Sequence, residues 1–241
     1  MLHTPGTLAP TSQSTSDPIS RGRSGARVVA TARSSAERSL FPAAALVMSG
    51  LCFVLYPAIR PFSSETGIAG AHAFASSSWI LAHSLGILGF ILLGLGTLGL
   101  YVRVQSTTLA GRMLASLSLM WVGIGLTLPY YGAEVFGLHA VGQRTLSLGD
   151  AGLLKPLVHS IRWEAGLYFI ILGLLLLAVG AVVAAVVVWR SGRLQRWGAV
   201  PLAAGLLLYI PQFAAAQPVR IAHGVLMLAG CSWLAWALAR R

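Results

Sequence analysis

"AGLYFIILGLLLLAVGAVVAAVVVW", residues 165–189, contains no charged side chain. An α-helix rises 1.5 Å per residue, so this run exceeds the hydrocarbon core of a bilayer, about 30 Å thick, which about 20 apolar residues cross. Gly166, Gly173 and Gly180 recur in it every seven residues and lay a smooth stripe along one face. Such a stripe suits close contact with another membrane helix.

Working outward, five further apolar runs flank this one. They cover about 41–59, 76–102, 112–132, 197–214 and 219–239. The runs are continuous, without the polar–apolar alternation of a barrel strand, so helices are expected. The expected fold is an all-α membrane protein, a bundle of six transmembrane helices over residues 40–241. Residues 1–39 are rich in Ser, Thr, Pro, Gly and Arg without a periodic apolar face, and read as a disordered cytoplasmic tail. They contain no apolar stretch of the signal-peptide kind.

Composition agrees. The 241 residues are 56% hydrophobic and 10% charged, with mean hydropathy +0.77, whereas soluble domains carry about 25% charged residues. The net charge of +11 does not point to nucleic acid, because the arginines punctuate apolar runs instead of lining one face. Their partner is the lipid bilayer and its anionic head groups. Lys155 is the only lysine. With abundant Ala, Gly, Leu and Val, that bias suggests a GC-rich bacterial genome. Cys52 and Cys231 fall mid-span and read as small buried apolar side chains.

The basic residues also give an orientation. The tail arginines, Arg103, Arg112, Arg190, Arg193, Arg196, Arg240 and Arg241 fall on one side of a six-span arrangement. Arg60, Arg144, Lys155, Arg162 and Arg220 fall on the other. The positive-inside bias then puts both termini in the cytoplasm and the protein in the plasma membrane.

That topology gathers the remaining ionisable groups. His72, His83, His139, His159 and His223, with Glu134 and Glu164, all project to the outer end of the bundle. His83 lies inside a span, where an ionisable side chain is costly and is a functional candidate by default. On one continuous helix His72 and His83 would share a face. Four readings fit the cluster. The simplest is structural, with arginines bridging Glu134 and Glu164. A metal or small-ligand site would draw on His83, Glu134, His139, Glu164 and His223, whose nitrogen and oxygen donors suit a divalent ion such as zinc. No HExxH or comparable ligand spacing accompanies them. A b-type haem would take His83 and His223 as axial ligands on separate helices. A small transporter would use the cluster as an entry, and with six helices would call for a homo-oligomer. The loop of about 133–164 has two amphipathic stretches suited to lid the cluster, though plain loop is the expectation. No P-loop, GxSxG or CxxC motif supports a soluble catalytic domain, and whether the protein is an enzyme is left open by the sequence.

Overall fold

The computed structural model describes residues 40–240. The chain is helical throughout this region, with no strand among the described residues. Helix α1 covers Leu40–Ile59. It is followed by α2 (Gly67–Ala75), α3 (Ser77–Val104) and α4 (Ala110–Gly132). A π-helical turn over Ala133–Gly137 then leads into α5 (Leu138–Leu148). Next come α6 (Leu154–Trp163), α7 (Ala165–Ser191), α8 (Val200–Leu207), a 3₁₀ turn over Pro211–Ala214, and α9 (Gln217–Ala239).

Five helices are long and apolar enough to cross a membrane: α1, α3, the continuous stretch Ala110–Leu148, the stretch Leu154–Ser191, and α9. The expected fifth span, 197–214, is a broken helix instead. Proline explains the break. Pro211 has no N–H to return to the preceding turn, and its ring crowds the carbonyl four residues back. The chain therefore leaves α8 at Leu207 and re-forms as the 3₁₀ turn that begins at Pro211. The segment still runs antiparallel to α9. Trp233 donates its indole N–H to Gln195 (2.8 Å), a Cβ on Gly230 would strike Leu202, and one on Gly205 would strike Met227.

The glycine stripe packs as read. A Cβ on Gly173 would lie 2.8 Å from the Gly123 carbonyl oxygen, and one on Gly123 would lie 2.6 Å from that of Gly173. Backbone meets backbone, so α4 and α7 pack closely against each other. Hydroxyls fasten the helices across the interior. Ser116 donates to the Gly180 carbonyl and Ser49 to that of Gly89, each at 2.7 Å. In an apolar bundle such bonds replace part of the hydrophobic drive that lipid cannot supply. Cys52 and Cys231 are buried and unpaired, in keeping with their reading as apolar filler.

One end of the bundle carries a cap. The 133–164 region is not plain loop: α5 and α6 pack with α2 around a small core of Ala71, Phe74, Trp79, Leu138 and Leu154. Ser76 separates α2 from α3 and caps the latter, its hydroxyl accepting from the Trp79 N–H (3.2 Å). That break places His72 and His83 on different helices. The shared face expected of them is absent, and His72 is exposed.

Candidate functional site

Beneath the cap, α1, α3, α4, α6, α7 and α9 converge on a connected set of polar side chains. Glu134 lies in the π-helical turn and is 4% exposed. π-Turns interrupt the α-helical register and often mark functional positions. Arg162, from the last turn of α6, grips this carboxylate with two bonds: Nε to Oε1 at 2.6 Å and Nη2 to Oε2 at 2.9 Å. Bidentate charge-assisted pairs of this kind are the strong ones. The Nη1 of Arg162 reaches the other carboxylate of the site, Glu65, whose remaining oxygen takes a bond from Arg60. Burial alone would raise the Glu65 carboxyl, but Arg60 and Arg162 outweigh it and hold it below the usual carboxylate range.

His83 joins from α3. Its Nδ1 lies 2.9 Å from the Trp79 carbonyl oxygen. A carbonyl only accepts, so Nδ1 carries the proton. Nε2 faces Glu134 Oε2 at 3.6 Å, an ion pair when the ring is protonated at both nitrogens. Trp79 completes the layer. Its indole N–H donates to the Glu134 backbone carbonyl (2.7 Å), its ring lies 4.2 Å from that of His83, and the Arg60 guanidinium sits 4.8 Å above it. Trp79 is fully buried. A tryptophan near the start of a span is expected to anchor at the membrane interface, but the cap covers the end of α3 and puts Trp79 in the interior. Trp163 and Trp189 are exposed as anchors should be.

The residues singled out from sequence separate into two groups. His83 and Glu134 are brought together. His139 is half-buried and engages the Phe74 carbonyl through Nδ1 (2.9 Å). Glu164 is exposed and accepts from the Ser160 hydroxyl (3.1 Å), with no arginine partner among the described residues. His223 donates from Nε2 to the Gly205 carbonyl (2.8 Å). Among the described residues no three His, Cys, Asp or Glu side chains are grouped as metal ligands. The route from His83 to His223 runs through packed rings instead of a porphyrin-wide slot. Tyr131 lies 6.2 Å from His83, its hydroxyl is 3.1 Å from that of Tyr209, and Tyr209 sits edge-on to His223 at 5.2 Å.

Sequence reading put Arg60, Arg162 and Arg220 on the same side of the arrangement as the cluster but passed over Glu65. The available signal was weak: an arginine and a glutamate five positions apart in the short loop after α1.

A cavity of about 640 Å³ opens beside this network. Arg60, Glu65, His83, Glu134, Arg162 and Arg220 supply its polar side. Leu167, Ile170 and Ile171 of α7, with Ile210 and Phe213 of the broken segment, form an apolar wall. No known family model, no curated protein sequence and no solved structure matches the chain.

Proposed function

We propose that the chain is a six-crossing protein of the bacterial plasma membrane, with both termini cytoplasmic, that binds a small ligand in the cavity at the outer end of its bundle. The observation that carries this reading is the cavity itself. Its volume, about 640 Å³, falls within the span of small-molecule sites, roughly 300–1,000 Å³. It also has their make-up, with apolar walls and a few convergent polar groups. The ionic network at its base is held by the cap, by the π-turn and by three helix ends. A rigid polar base under an apolar wall is what orients a bound molecule.

The sixth crossing rests on the antiparallel run of residues 195–209 beside α9 and on the arginine bias between the two ends. The test of ligand binding is native mass spectrometry of protein released directly from membrane vesicles. The wild type is expected to carry a small-molecule adduct of defined mass. An Ile171→Trp variant, with an indole in the cavity, is expected to lose the adduct and still fold. Bare wild-type protein, or an adduct indifferent to the tryptophan, would remove the reading.

A further inference from the structure

The cavity's charges do not cancel. Its lining holds three guanidinium groups, from Arg60, Arg162 and Arg220, against two carboxylates, Glu65 and Glu134. All the carboxylate oxygens are committed. Glu134 is taken by both forks of Arg162, and Glu65 is divided between Arg162 and Arg60. Among the described residues Arg220 has no carboxylate partner within ion-pair distance. It donates through Nε to the Ala215 carbonyl (2.9 Å) and through Nη2 to that of Phe213. These neutral acceptors fix its position without neutralising its charge. A second observation is independent of this one. The Arg60 side chain is only 10% exposed, yet its Nε has no acceptor among the described residues. A buried donor left unpaired on a charged group is costly, and calls for a partner. Arg60 and Arg220 also share a neighbour: their guanidiniums lie 5.2 and 5.1 Å from the centroid of the Phe62 ring. Both arginines therefore converge on one side of the cavity.

The same cavity is lined by the apolar side chains of α7 and the broken segment, where Leu167, Ile171, Ile210 and Phe213 are half-buried. A ligand that satisfies both sides is an anion at one end and hydrocarbon at the other. We propose that the cavity takes the oxyanionic head of an amphiphile, a phosphate-type group at Arg60 and Arg220 with its acyl portion along Ile171, Ile210 and Phe213. The planar guanidinium fork suits such oxygens. This inference rests on the ligand-pocket reading above and narrows it to one chemistry.

The test is thermal melting of the full-length protein in a non-ionic detergent, titrated with dioctanoyl phosphatidic acid, dioctanoylglycerol or inorganic phosphate. Phosphatidic acid is expected to raise the melting temperature saturably. Its apparent affinity should exceed that of either other probe by about tenfold or more, the size of one charge-assisted contact. Arg220→Gln should cut that affinity by a similar factor. Arg220→Lys, which keeps the charge and loses the fork, should fall between. Should Arg220→Gln fail to fold, the comparison among the three probes on the wild type still decides. Equal response to dioctanoylglycerol would overturn the anion site while leaving a ligand pocket. Inorganic phosphate as effective as the lipid would overturn the amphiphile. No response to any probe would overturn the inference, and the adduct experiment above then decides separately whether a pocket ligand of another chemistry exists.

Discussion

Arg162 is the residue on which the site turns. Among the described residues it is the one side chain that bonds both Glu65 and Glu134, and it enters from α6, part of the cap and outside the long apolar runs. Breaking a buried pair by removing one partner leaves an uncompensated charge and typically costs about 3–5 kcal/mol, whereas replacing both partners with apolar groups is often nearly neutral. Arg162→Met should therefore lower the melting temperature strongly in detergent. Glu134→Leu combined with Arg162→Met should recover more than half of the loss. Glu65 keeps Arg60 in the double variant, so its own charge stays paired. Additive losses in the two single variants and the double would show that the pair is not coupled. His83 and Glu134 were legible in the sequence because an ionisable group in an apolar run is expensive and therefore conspicuous. Glu65 was not, since a charge in a short polar loop is unremarkable until the fold brings it under a second arginine. Trp79 was misread for a related reason. Its position near the start of a span says interface, and only the packing of α2, α5 and α6 over it says interior.

At the scale of elements, length and apolarity decided what could be read. α1, α3, α4, α7 and α9 begin and end within a few residues of the apolar runs, because a run long enough for the bilayer leaves little choice of conformation. The expected fifth span is not one continuous helix but breaks before Pro211, where a hydrophobic count is blind to a missing N–H. The cap helices were hidden differently. Their amphipathic stretches bury only one face, against one another, so the signal is shared with surface loops. The glycine stripe was legible, and it makes a sharp prediction. A Cβ on Gly173 would meet the Thr127 hydroxyl and N–H and the Gly123 carbonyl, mostly backbone that cannot step aside. Gly173→Leu should cost at least about 1–3 kcal/mol through overpacking. Gly125, on the same α4, would bring its Cβ within 4 Å of nothing. Gly125→Ala should be neutral or gain up to about 1 kcal/mol in helix propensity. Melting curves of the two variants side by side check this. A Gly173→Leu protein as stable as the Gly125→Ala protein would mean that α4 and α7 do not approach at that point.

For the molecule as a whole, the two ends of the bundle differ in kind. One end holds Glu65, Glu134 and His83 interlocked with arginines. At the other, basic side chains lie against aromatic rings and backbone: Arg240 stands 3.4 Å over Trp236, Arg196 lies 5.7 Å from Trp189, and Arg103 bonds the Arg240 carbonyl. An excess of arginine at one membrane face is what the proposed orientation expects of its cytoplasmic side, where such residues resist translocation and meet anionic lipid. The proposed topology follows from that bias together with an even number of crossings, and it depends on the broken 197–214 segment. If that segment crosses, the start of α9 is outside and the C-terminus is inside. If it merely dips and returns, α9 is inverted and the C-terminus lies outside. Two measurements separate these cases. Ser64 and Ser106 are exposed and lie in the loops after α1 and α3. In intact cells a membrane-impermeant maleimide should label Ser64→Cys and spare Ser106→Cys, which should react only after permeabilisation. The buried Cys52 and Cys231 should contribute no background. A green fluorescent protein fused to the C-terminus should be bright, as it is when it folds in the cytoplasm. Correct labelling with a dark fusion would leave five crossings and invert α9. The cavity's Arg220 would then no longer open on the outer face, because the helix that carries it would enter from the other side.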